Sequence, residues 1–100
     1  MKIKELKVNN IEEFQELVNN QHFGISQAIV GAILDNLKTR KKNIPVLAVK
    51  CIQENNVFDI TLERVDFIDT LKENIKHFEK REMFEECAKI SNAIKELSEA

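Results

Sequence analysis

Glycine, proline, tyrosine and tryptophan are what this 100-residue chain has least of: two glycines, one proline and neither of the larger aromatics. With Gly24 and Gly31 standing alone, no glycine-rich loop is present to cradle a phosphate. The shortage of helix and strand breakers predicts a chain that is almost all regular structure, without low-complexity segments. The two cysteines, Cys51 and Cys87, belong to no CxxC pair or Cys/His cluster. They read as buried free thiols in a reducing compartment, not as a disulfide or zinc framework. No apolar run approaches the about 18 residues of a membrane span, and no basic-then-apolar leader opens the chain, so the cytoplasm is the expected location. Charge of one sign is also missing: 15 Lys/Arg against 17 Asp/Glu leave a net of −2, which gives no general attraction to nucleic acid or membrane.

What is present is enough apolar material, 43% of residues, for the modest core of a small domain. The charge is unevenly spread. Residues 1–65 carry nine Lys/Arg and eight Asp/Glu, whereas residues 66–100 carry six and nine, so the acidic excess lies in the C-terminal third.

Met1–Val8 alternates loosely (Ile3, Leu6, Val8) with lysines between, the pattern of a short edge strand, with an ordered tail as the alternative. Asn10 with Glu13 three residues later forms a capping-box-like start to a first helix, whose apolar face is Ile11, Phe14, Leu17 and Val18. His22–Gly24 reads as a loop, with His22 capping it. A second helix is expected from Ile25 to about Lys38, apolar at Ile25, Ala28, Ile29, Ala32, Ile33 and Leu37 and wide enough to be buried on two sides. Lys38, Arg40, Lys41 and Lys42 would close that helix, where cations complement the helix dipole. Their other use is contact with phosphate or an acidic partner.

Ile44–Gln53 and Val57–Arg64 read as an antiparallel hairpin with a two-residue Asn55-Asn56 turn. That turn sets Cys51 opposite Ile60, Val49 opposite Leu62 and Gln53 opposite Phe58, and leaves Lys50 with Thr61, Ala48 with Glu63 and Ile52 with Asp59 on a mostly polar face. Pro45 falls near the strand entrance, where it costs the ladder little. Asp66 follows as an N-cap, with Phe67 and Ile68 placed to dock the next helix on the sheet.

From Phe67 to Leu97 the chain shows two amphipathic runs with a charged break at Glu79–Glu82. Leu71, Ile75 and Phe78 share one side of the first, and Phe84, Cys87, Ile90, Ile94 and Leu97 one side of the second. A break of that length turns two helices back against each other. The predicted fold class is therefore α+β: two N-terminal helices packed on a small antiparallel β-hairpin sheet (residues 1–65), followed by a C-terminal αα-hairpin (residues 66–100).

Leu71, Ile75, Phe78, Phe84-Glu85, Ala88, Ile90, Ile94 and Leu97 match the spacing of the UVR (UvrB/UvrC) motif, and the hairpin resembles that family over about a third of the chain. The turn and signature read Glu79-Lys-Arg-Glu-Met-Phe-Glu-Glu-Cys-Ala88, with Cys87 where a small residue usually stands. Phe78 occupies a position usually alanine, and Ser91-Asn92 replaces a common Arg-Asp pair. The resemblance implies a protein–protein interaction element that dimerises or docks hairpin against hairpin, with Leu71, Ile75, Phe78, Phe84, Glu85, Cys87, Ile90, Ile94 and Leu97 as the partner-binding residues. Residues 1–65 resemble no family we recognise.

Catalysis finds little to stand on. His22 and His77 lie far apart with no carboxylate or cysteine at ligand or triad spacing. Glu79, Glu82, Glu85 and Glu86 lack the ligand order of a calcium loop and read as a solvated acidic turn. The expectation is a non-catalytic adaptor that needs no cofactor or metal and docks another protein, or a second copy, through the C-terminal hairpin. The alternatives are a small subunit of a nucleoprotein or phage virion assembly, touching nucleic acid through Lys38, Arg40, Lys41 and Lys42, and a structural homodimer whose hairpins form a four-helix bundle. Rich use of Lys, Asn, Ile and Glu suits an AT-rich bacterial or phage genome.

Overall fold

In the computed structural model, which describes residues 3–99, the chain runs β1 (Glu5–Val8), α1 (Ile11–Asn19), α2 (Phe23–Asp35), β2 (Asn43–Cys51), β3 (Asn56–Glu63), a 3-10 turn (Arg64–Asp66), α3 (Phe67–Lys80) and α4 (Phe84–Glu99). The architecture is α+β. The expectation of a purely antiparallel sheet is corrected: the sheet is mixed, ordered β1-β2-β3, with β1 parallel to β2 and β3 antiparallel to it. The two N-terminal helices are the crossover that parallel pairing requires, so helices interleave with strands. Met1 and Lys2, part of the predicted first strand, lie outside the described residues.

Cross-strand register sorts the side chains by face. Leu6, Val49 and Phe58 lie abreast, as do Val8 and Cys51, while Glu5, Ala48 and Asp59 share the opposite face. Only the first face is covered. α2 packs on β2, and α3 and α4 pack on α2, which buries α2 on two sides as its wide apolar surface requires. At β2 a bulge falls between Pro45 and Leu47, so Val46 and Leu47 are buried in succession. A bulge beside Pro45 is where a central strand accommodates proline.

The hairpin register differs from the expected one. The connection is a four-residue turn, Ile52–Asn55, with Asn55 left-handed at φ 48°. Cys51 lies opposite Asn56, and Val49 opposite Phe58. Ile52 and Gln53 are diverted because their N–H groups donate to Val8 and Asn9 carbonyls, both at 2.9 Å. Gln53 and Glu54 also accept from the Asn10 side chain and the Ile11 N–H at the start of α1. From Leu47 to Cys51 the shift is an even number of residues, so these side chains and their β3 partners keep the expected face. Before the bulge it is odd, and Ile44 joins Leu62 on the covered face.

Helix ends follow local chemistry. Asn10 caps α1 by accepting from the Glu13 N–H at 2.9 Å, while the Glu13 carboxylate accepts from Asn9, one residue before the cap, at 3.0 Å. α2 begins two residues before the predicted Ile25 because His22 Nδ1 accepts from the Gly24 N–H at 3.2 Å. It ends at Asp35, so Lys38–Lys42 form a loop beyond the helix and not its last turn. Asp66 makes no side-chain cap bond; the 3-10 turn runs straight into α3, and the Phe67 N–H donates to the Arg64 carbonyl.

One buried cluster spans both sides of the 65/66 boundary. Val49, Ile44 and Ile33 share it with Phe67, Leu71 and Ile90. Ser26, buried on α2, donates its hydroxyl to Asn74 Oδ1 on α3 at 2.7 Å, and the Asn74 amide donates onward to the Thr70 carbonyl.

Candidate functional site

The C-terminal hairpin begins with helices whose inner stripes match. Phe67, Leu71 and Phe78 on α3 and Ile90 and Ala93 on α4 are buried, and Ile75, Cys87, Ile94 and Leu97 are partly buried against the same core. Of the partner-binding residues named from the sequence, Leu71, Phe78 and Ile90 thus face inward in the folded chain. Phe84 and Glu85 are exposed.

The turn between α3 and α4 is fixed by its backbone. Met83 N–H donates to the Phe78 carbonyl and Glu82 N–H to the Glu79 carbonyl, the paired bonds of a Schellman ending. Glu82 occupies the left-handed position at φ 55°, where glycine is usual. α1 ends the same way, with His22 bonded to Leu17, Gln21 bonded to Val18 and Gln21 at φ 54°.

Side chains then tie the tip to α2. Phe23 packs edge-on against Phe78 with ring centroids 4.9 Å apart, and the Arg81 guanidinium lies 4.1 Å from the Phe23 centroid, a cation–π contact. Met83 is tucked against the core. Phe84 is left 68% exposed beside Glu85, in an N-terminal turn whose acids Glu85 and Glu86 suit the helix dipole. Lys89 reaches Glu86 at 3.6 Å.

The basic loop has its own support. Arg64 Nε donates to the Lys41 carbonyl at 2.9 Å, and its Nη2 to the Asn36 carbonyl at 2.7 Å and the Thr39 carbonyl at 2.6 Å. The same guanidinium lies 5.0 Å from the Phe67 ring centroid. Planar, multi-donor geometry is what lets arginine hold three carbonyls at once. Lys38, Arg40, Lys41 and Lys42 are all exposed on this held loop. Nothing in the sequence distinguishes Arg64 from the other arginines, so its role was legible only at the level of a short strand-to-helix junction.

The folded chain brings His22 and His77 to one open cleft of about 240 Å³, with Ser26, Glu73 and Asn74. His22 is already engaged as a cap. Among the described residues no three His, Cys, Asp or Glu side chains are grouped to hold a metal ion. Cys51 is buried and Cys87 partly so, and both are free. Burial pushes the Cys51 thiol up, and the carboxylates of Glu54 and Glu12 add to it. Among the described residues no helix is long and apolar enough to cross a membrane. No family model, no curated protein and no solved structure matches this chain.

Proposed function

We propose that this chain is a non-catalytic adaptor, working without a cofactor in the cytoplasm, that docks a protein partner through a UVR-like C-terminal hairpin. The observation that carries the reading is Phe84: a large aromatic, 68% exposed, on a turn whose backbone and flanking side chains are already fixed. Rigid exposed aromatics are the usual anchors of protein interfaces. Removing the rest of such a ring from water contributes about 1–2 kcal/mol, and no ordering of the turn has to be subtracted. Glu85 and the neighbouring acids suit a partner with a basic rim around an apolar pocket. The remaining residues of the stripe support the tip from within.

The test is affinity capture from the cells of origin, comparing the native chain with Phe84→Asp and with Val65→Asp, the latter altering an apolar residue that is 82% exposed away from the tip. The adaptor reading expects a defined partner lost with Phe84→Asp and kept with Val65→Asp. A partner retained by Phe84→Asp overturns it. Deleting residues 66–100 would not serve, because Phe67, Leu71 and Ile90 belong to the common core.

A nucleoprotein subunit is the second reading, favoured by the way Arg64 holds the loop that carries Lys38, Arg40, Lys41 and Lys42. Reversing charge at Arg40, Lys41 and Lys42 would then flatten the salt dependence of DNA binding by roughly 2–3 units of log–log slope. A slope that stays unchanged rejects it.

A further inference from the structure

The two outer edges of the sheet are protected differently. β1 is four residues long and carries Lys7, with Lys4 just before it, the usual means of blunting an edge. β3 is twice that length, reads Asn-Val-Phe-Asp-Ile-Thr-Leu-Glu, and contains no lysine and no proline; the one bulge belongs to β2. Among the described residues no strand lies along its outer edge. Phe58, Ile60 and Leu62 point to the covered face yet stay only partly buried: Phe14 of α1 meets Phe58 edge-on with ring centroids 6.0 Å apart, but β2 is the element that packs along the length of β3.

Backbone polarity at this edge follows from the bonds already made. Ala48 and Ile52 direct their N–H groups to β1, and Arg64 directs its own to Lys42 at 2.7 Å. Alternation then turns Asn56, Phe58, Ile60 and Leu62 toward β2 and leaves the N–H and C=O groups of Val57, Asp59, Thr61 and Glu63 facing outward.

We propose that β3 is the contact edge of a homodimer, in which a second copy adds its own β3 antiparallel to form a continuous six-stranded sheet. A second copy is the occupant because the strand is complementary to itself in one register. A two-fold axis at Ile60 sets Ile60 against Ile60, Phe58 against Leu62, Asp59 against Thr61 and Val57 against Glu63. Apolar side chains then meet on the covered face, and no acid opposes an acid. Moving the axis to Asp59 opposes two aspartates; moving it to Thr61 opposes Asp59 to Glu63; an odd shift places apolar side chains against polar ones. In the favoured register, Asp59 and Thr61 exchange backbone bonds with their counterparts through groups that face outward. Ile60 forms the close, non-bonded pair on the axis. This dimer is independent of the adaptor reading and leaves Phe84 free.

Light scattering across a concentration series, with circular dichroism as a fold control, is the first measurement. The native chain is expected at twice its chain mass at high concentration. Thr61→Pro removes only an outward N–H, so the fold persists and the mass falls to that of one chain. Thr61→Asp places acid against Asp59 twice and weakens dimerisation about tenfold; adding Asp59→Lys to it restores the dimer. Register is read by oxidative cross-linking: Ile60→Cys links to itself, whereas Asp59→Cys and Thr61→Cys link when mixed with each other and not when alone. A native chain that stays monomeric at millimolar concentration overturns the proposal. So does a dimer that survives Thr61→Pro, one dissolved by Phe84→Asp instead, or self-linking at residue 59 or 61. Should Thr61→Pro fail to fold, the charge exchange at residues 59 and 61 decides.

Discussion

Six residues apart, across the turn of the C-terminal hairpin, Phe78 and Phe84 have opposite surroundings. Phe78 is buried against Phe23 on α2, whereas Phe84 stands in solvent on the first turn of α4. Residue type does not separate them; position relative to α2 does. The inner face of the hairpin is part of the sheet's core, and the tip is held by that core without adding to it. A stable surface and an available one are thus built from a single element, with the Schellman turn as the boundary.

Mutations at the two regions should separate by size. Phe67→Ala, on the inner face, is expected to cost about 3–5 kcal/mol, a large share of the ~5–15 kcal/mol that holds a small domain. Urea unfolding followed by circular dichroism will show the midpoint collapse. Arg64→Ala, at the junction that feeds the hairpin, should cost about 2–3 kcal/mol, because three carbonyls lose a charged donor. Arg64→Lys should recover little of this, since one ammonium cannot reproduce the fork. Amide exchange in residues 38–42 should accelerate in both. Glu82→Gly, at the boundary itself, should gain about 1 kcal/mol by relieving the left-handed conformation, read as a raised thermal midpoint. Phe84→Asp, at the tip, should shift stability by less than about 0.5 kcal/mol; a larger loss would show that the tip supports the core after all.

Local chemistry in the sequence reached most of the fold. The capped start of α1, the two-sided burial of α2, the faces of β3 and of β2 from Leu47 to Cys51, and the C-terminal helical hairpin were all legible from periodicity and caps. What escaped depends on distant partners. β1 was visible as a strand, but its parallel pairing with β2 requires Leu6 to meet Val49, and no local pattern specifies that. The Asn55-Asn56 turn was misplaced because Ile52 and Gln53 give their N–H groups to Val8 and Asn9, residues some forty positions earlier. The bulge at Val46 hid in a run apolar on both faces. At the candidate site, periodicity identified the hairpin stripe but could not divide it, because Phe84 differs from Phe78 only in what α2 reaches. Arg64 was missed for the same reason: its three carbonyl partners come from a loop more than twenty residues upstream.

The parallel placement of β1 also sets an order of events in time. Its partner strand ends at Cys51, after both helices of the crossover, so during synthesis β1 emerges first and waits longest for its hydrogen bonds. β2 and β3 can pair across a four-residue turn within microseconds, whereas β1 must close a loop of about forty residues and pays the larger chain entropy for it. Folding should therefore proceed from the β2–β3 ribbon outward, with β1 docking late, and substitutions in β1 should speed unfolding more than they slow folding.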